Sequence, residues 1–209
     1  MSAVRRRVRP AAAERLGVLG GTFDPPHVGH LALAEWAREE LGLDRVLFVP
    51  AGVPPHKRSA TTPAASRLAL TRLAVRRNVA FRVEPMEVRC SGPSYTVDTL
   101  RALAARHPAA ELWLLVGADM YATMDTWRKI GEIVRLAAVA VAARPGTRLV
   151  RRAAWAKGGL GVHFLGNPIL DISSSAVRER ARAGRSLRYL VPDTVARAIT
   201  AQRLYRRSK

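Results

Sequence analysis

The chain has 209 residues, of which 35 are Lys or Arg and 16 Asp or Glu, for a formal charge of +19; 48% are hydrophobic. That is enough apolar material for one well-filled domain, and no apolar run reaches the roughly 18 residues needed to span a bilayer. The single cysteine, Cys90, excludes an internal disulfide and any cysteine-based metal cluster, so the chain reads as cytoplasmic.

"MSAVRRRVRPAAAER" is basic without an apolar core, so it reads as a frayed extension over residues 1–14 rather than a secretory signal. The domain is expected over 15–209, with a helical C-terminal part from about 173. "RLGVLGG" (15–21) predicts a buried first strand ending in glycines, and "VGHLALAEWAREELGL" (28–43) has helical periodicity. Pro26 is placed in the first helical turn. "DRVLFVPAG" predicts a second buried strand, and "VPPHKRSATTP" (53–63) a proline-bounded loop. "AASRLALTRLAVRR" reads as a helix, "FRVEPMEV" (81–88) as an alternating strand, and "SYTVDTLRALAARH" as a helix opened by a hydroxyl-rich cap. "ELWLLVG" predicts a strand, "WRKIGEIVRLA" (127–137) a helix, "AAVAVAARPG" (137–146) a strand, and "VHFLGN" a last short strand. "SSSAVRERARAG" predicts a helix stopped by Gly184, followed by a C-terminal helix from Pro192.

Strands apolar on both faces alternating with helices predict an α/β fold: a Rossmann-like, doubly wound parallel sheet in a single domain. Ligands in such sheets bind beyond the carboxyl ends of the strands, and the chemically suggestive stretches all fall there. The positive charge is almost wholly arginine, with only Lys57, Lys129, Lys157 and Lys209 as lysines. Aromatic residues do not interleave with it as in RNA-binding surfaces, so it reads as a solvated basic surface rather than a nucleic-acid site. The same field suits a polyphosphate substrate.

In "GGTFDPPHVGHL" (20–31), His27 and His30 lie three apart at a helix start. A zinc site would need further ligands, and Cys90, His56, His107 and His163 have no matching spacing. Glycines after a buried strand allow close backbone approach, while the helix start offers N–H groups and the positive dipole end. Neutral imidazoles there are suited to donate to phosphate oxygens. "DISSSAVRER" supplies Ser173, Ser174 and Ser175, with Arg178 one turn on. Taken alone this is an ordinary serine cap; together with the first stretch it forms a second phosphate clamp, in which a guanidinium fork suits two oxygens.

"GGTFDPPHVGH" resembles the GTFDPxHxGH signature of the nucleotidylyltransferases, and "ISSSAVR" their ISSTxxR box, with Ser175 in place of threonine. Adding "VPPHKR", "GPSYTVDTL", "VGADMYATMDTW" and "ARPG", the chain is similar to the bacterial nicotinate-nucleotide adenylyltransferases from Leu16 to Tyr205. The resemblance implies transfer of AMP from ATP to nicotinate mononucleotide, with Mg²⁺ carried on the ATP phosphates. It makes His27, His30 and Arg178 the catalytic residues. It places Gly20, Gly21, Thr22, Phe23, Gly117, Asp119, Arg144, Ile172 and Ser173–Ser175 around ATP. His56, Lys57, Ser94, Tyr95, Thr96 and Trp127 fall around the acceptor, with Trp127 stacked on the pyridine ring. The residues near Thr96 and Trp127 suit a nicotinamide acceptor as well, and a phosphopantetheine acceptor is the weaker match. A homo-oligomer is compatible with the sequence; a membrane partner is not expected.

Overall fold

The computed structural model describes residues 13–54, 62–143, 146, 154–156 and 158–205. Six strands form one all-parallel sheet: β1 (Arg15–Gly21), β2 (Arg45–Pro50), β3 (Phe81–Val83), β4 (Glu111–Gly117), β5 (Ala138–Ala142) and β6 (Val162–Phe164), in the order β3-β2-β1-β4-β5-β6. The order reverses beside β1, the first strand, so the crevice of a doubly wound sheet opens between β1 and β4. Register is set by the apolar pleat. Leu16 and Val18 face one layer and Leu19 the other. Gly17 lies between them because a Cβ there would come within 2.8 Å of the Leu43 side chain.

The helices divide between the two faces, as a parallel sheet requires. On one side α1 (Val28–Leu41), α2 (Ala64–Val75), α7 (Ser174–Arg182) and α8 (Asp193–Ala201) bury Ala34, Leu70, Val177 and Val195 against Phe48 and Ala140. On the other, α4 (Thr96–Arg106) and α6 (Ile130–Leu136) bury Leu100 and Ile133 against Val18, Leu114 and Val139. Helix α1 stops at Gly42 in the left-handed conformation (φ 61°), where the Leu43 N–H returns to the Arg38 carbonyl. Gly184 (φ 65°) follows α7 in the same conformation.

Several local expectations are corrected. "FRVEPMEV" is not one strand: β3 ends at Val83, and Met86–Arg89 forms a short helix, α3. Pro85 has no N–H to continue a ladder, so the alternation beyond it is coincidental. The helix placed at 127 begins at Ile130, because Trp127 is extended and Lys129 is left-handed (φ 56°). The short helix α5 (Ala118–Tyr121) and the 3-10 turn at Met124–Thr126 are too brief to leave a periodic signal. Pro26 precedes the cap of α1 rather than occupying its first turn. Residues 1–12 of the basic extension lie outside the described residues.

No helix among the described residues is long and apolar enough to cross a membrane.

Candidate active site

The loop after β1 is anchored by a residue in an unfavourable backbone state. Phe23 has φ 49°, yet its ring is 1% exposed and meets His30 edge-on, with centroids 5.0 Å apart. A buried aromatic in the left-handed region is held there by its surroundings. Asp24 follows, also buried, and accepts a hydrogen bond at Oδ1 from the Tyr205 hydroxyl at 2.9 Å. Burial pushes that phenol well above its ordinary range.

His27 is the N-cap of α1, with extended backbone. Its N–H donates to Nδ1 of His30 at 3.2 Å, and the two rings lie 3.7 Å apart at 32°. With Nδ1 as the acceptor, Nε2 is the nitrogen of the His30 ring placed to donate elsewhere. The Val28 N–H donates to the Leu190 carbonyl, so the end of α1 offers fewer open N–H groups than its sequence suggested. Gly29 belongs to this arrangement: a Cβ there would approach the His27 ring to 3.1 Å.

Helix α7 is fastened directly to this loop. Ser173 caps it by accepting from the Ala176 N–H, and the Ser174 hydroxyl donates to the Pro25 carbonyl at 2.9 Å. Arg178 donates from Nη1 to the Asp24 carbonyl at 2.8 Å and from Nη2 to the Ser175 hydroxyl at 3.1 Å. Its Nε–H is buried with no acceptor among the described residues. The two stretches singled out in the sequence, almost 150 residues apart, therefore meet.

Beside them opens a cleft of about 240 Å³ whose walls include His27, Gly29, Asp119, Asn167, Ile172 and Ser173. Asp119 is exposed in α5, directly after the buried Gly117 that ends β4. Asn167 shapes the far wall. Its side chain accepts from the Ala143 N–H at 2.9 Å and donates to the Ala143 carbonyl at 3.3 Å. Gly20, Gly21 and Thr22 lie at the carboxyl ends of β1, where Gly20 and Gly21 pair with Val49 and Pro50 of β2.

Of the residues assigned to the acceptor, Ser94, Tyr95, Thr96 and Trp127 do not line the walls of this cleft. The Ser94 N–H donates to the Val53 carbonyl, and its hydroxyl accepts from the Gly52 N–H at 3.0 Å. Ser94 thus holds the loop after β2. Tyr95 caps α4 beneath the Arg128 guanidinium, 4.6 Å from the ring centre, and Trp127 is half-buried immediately before it in sequence. Thr96 is half-buried in the first turn of α4. Behind them the Thr99 hydroxyl donates to Glu87 at 2.5 Å; burial raises the Glu87 carboxyl above its usual range. His56, Lys57 and Arg144 lie outside the described residues.

Sequence reasoning missed Arg67, Glu87, Asn167 and Tyr205. Only Arg67 left a trace, falling on the same face of α2 as Leu70, Thr71 and Ala74.

The Cytidylyltransferase-like family model matches residues 18–180. A protein of Exiguobacterium sibiricum described as "Probable nicotinate-nucleotide adenylyltransferase" is 43% identical over 191 residues, covering 91% of this chain and 98% of that one. A Corynebacterium kroppenstedtii protein of the same description is 45% identical over 194 residues, covering 91% and 90%. Among solved structures, the Plasmodium falciparum nicotinic acid mononucleotide adenylyltransferase complexed with NaAD superposes with a TM-score of 0.77 at 17% identity, covering 92% of this chain and 97% of that one. At that identity the superposition speaks for the fold. The family match over the sheet and α7, with relatives above 40% identity along nearly the whole chain, places this protein in the cytidylyltransferase-like family, among its nicotinate-nucleotide adenylyltransferases.

Proposed function

We propose that this protein joins the AMP moiety of ATP to nicotinate mononucleotide, releasing pyrophosphate and forming nicotinate adenine dinucleotide. The observation that carries the reading is the fastening of Arg178 and Ser174 to the carbonyls of Asp24 and Pro25, beside the paired imidazoles. Imidazole N–H, hydroxyl and guanidinium donors then converge where a triphosphate would lie.

In this reading an oxygen of the mononucleotide phosphate attacks the α-phosphorus of ATP in line, and the bond to the bridging oxygen of pyrophosphate breaks. A phosphate monoester with a second pKa near ~6 is largely dianionic at neutral pH, so no general base is required. Catalysis rests on alignment and on stabilising charge as it spreads over the equatorial oxygens. His27 and His30 serve the α-phosphate, His30 donating from Nε2. Arg178 and the Ser175 hydroxyl hold the leaving pyrophosphate, while Ser174 fixes the loop through the Pro25 carbonyl. Gly20–Phe23, Gly117, Ile172 and Ser173 border the adenosine, Asp119 accepts from ribose hydroxyls, and Arg144 faces the nucleotide.

The cleft walls carry Asp119 and Asp171 beside His27, but among the described residues no three His, Cys, Asp or Glu side chains group to hold a metal ion. Mg²⁺ would therefore arrive on ATP, held by the phosphates and its own waters, and would neutralise charge on them. Trp127 stacks on the pyridine ring, and Tyr95, Thr96, His56 and Lys57 border the acceptor. The machinery is assigned to a domain over 15–209, and no role in the reaction is given to the basic residues 1–14.

The test is pyrophosphate release from ATP in the presence of nicotinate or nicotinamide mononucleotide. A kcat/KM favouring the acid by at least about tenfold is expected. Equal values would remove the acid preference, and no release with either would remove the reading.

A further inference from the structure

Arg67 is an arginine in the first turn of α2, 1% exposed, with no role in the chemistry above. Each of its three nitrogens donates to a backbone carbonyl, on three separate segments. Nη1 donates to Thr22 in the phosphate loop at 2.7 Å, Nη2 to Gly52 in the loop after β2 at 2.9 Å, and Nε to Thr62 at the entrance to α2 at 3.1 Å. The residues it grips are themselves parts of the two half-sites. Thr22 lies between the strand glycines and Phe23, while the N–H of Gly52 donates to Ser94, which leads into Tyr95 and Thr96. Gly52 also sits where a Cβ would fall 2.2 Å from the Glu87 carbonyl, so this loop has no slack on its other side.

A buried cation is costly unless it is compensated and fully hydrogen-bonded. Here the compensation is local: the negative charge of Asp24 acts on Arg67, and Asp24 is in turn bonded by Tyr205. An apolar side chain would fill the same position in α2 without that cost. What leucine cannot do is fix three carbonyls, on two catalytic loops and a helix entrance, with one planar group.

We propose that Arg67 is a positioning residue that sets the distance between the ATP half-site and the acceptor half-site. It acts on the alignment of two substrates and contacts neither. The proposal rests on the adenylyl-transfer reading, because only a two-substrate reaction makes that distance matter. Misalignment by about 1 Å between reacting groups can cost up to ~100-fold in rate.

The experiment compares the parent, Arg67→Lys and, as a destabilised control at the amino-terminal end of β4, Leu112→Ala. Steady-state rates per folded molecule are measured with ATP and nicotinate mononucleotide. Affinities are measured separately for each substrate and for nicotinate adenine dinucleotide, which spans both half-sites. If the parent does not turn over, the functional reading fails. If it does, Arg67→Lys keeps charge and loses the fork: kcat is expected to fall at least about tenfold with both KM values within about threefold. Dinucleotide affinity is expected to fall at least about tenfold while each substrate alone binds as before. Parental kcat and dinucleotide affinity in Arg67→Lys overturn the proposal, as does an equal loss in Leu112→Ala. Should the lysine chain not fold, Arg67→Gln, which buries no charge of its own, carries the same comparison with the same outcomes.

Discussion

Arg178 and Asp24, 154 positions apart, are joined by a single hydrogen bond from a guanidinium Nη1 to a main-chain carbonyl at 2.8 Å. Because the acceptor is backbone, the bond specifies the path of the loop rather than the identity of residue 24. The same arginine is thus a clamp on the loop, and in the proposed reading it also donates to the leaving pyrophosphate.

Arg178→Lys should separate those roles from simple charge. Lysine keeps the cation but cannot hold Asp24, Ser175 and a phosphate oxygen in one plane. We expect kcat to fall by about 100-fold, close to the effect of Arg178→Ala. A lysine variant with near-parental kcat would show that charge alone suffices.

His30→Ala removes the acceptor of the His27 N–H and, in the proposed reading, a phosphate donor. Loss of one donor that acts as charge develops costs about 100- to 1,000-fold in kcat, with KM for either substrate nearly unchanged. Steady-state kinetics that show only raised KM would move His30 from catalysis to binding.

Trp127→Ala should act on the acceptor. Stacking of an aromatic side chain on a flat ring is worth on the order of 1–3 kcal/mol, so KM for the mononucleotide should rise about tenfold or more while KM for ATP holds. An unchanged acceptor KM would argue against stacking.

Glu87→Gln should change the pH dependence of stability. Burial outweighs the hydrogen bonds from Thr99 and Ser94 and holds the Glu87 carboxyl above the usual 4.5. The folded protein therefore binds this proton more tightly than the unfolded chain does. The stability it contributes is complete below about pH 4.5 and is lost as pH rises through the raised value. The glutamine variant should match the parent Tm near pH 4 and exceed it at pH 8. Parallel Tm profiles in calorimetry would exclude the effect.

The sheet and most helices were legible because their signals are local. Runs such as "RVLFVP" and "AVAVA" are apolar on both faces, and Gly42, Gly184 and Pro192 mark ends by backbone chemistry alone. The two phosphate stretches were legible for the same reason, as was the edge of the sheet on which they lie. What failed was short or non-local. Three- and four-residue turns such as Met124–Thr126 have no period to read, and a proline at 85 ended a strand whose alternation continued past it. The partners of Arg67, Asn167 and Tyr205 are carbonyls and side chains up to 181 positions away, and no spacing rule encodes those. Likewise, the Ser94 hydroxyl accepts from the Gly52 N–H, 42 positions away, a contact its sequence neighbourhood does not announce.

The bond from Tyr205 to Asp24 ties the end of the described chain to its first functional loop. During synthesis the glycine and histidine stretch leaves the ribosome long before the residue that closes beneath it. A nascent chain stalled short of position 205 would carry every group assigned to the triphosphate and still lack the underside of the loop that presents them.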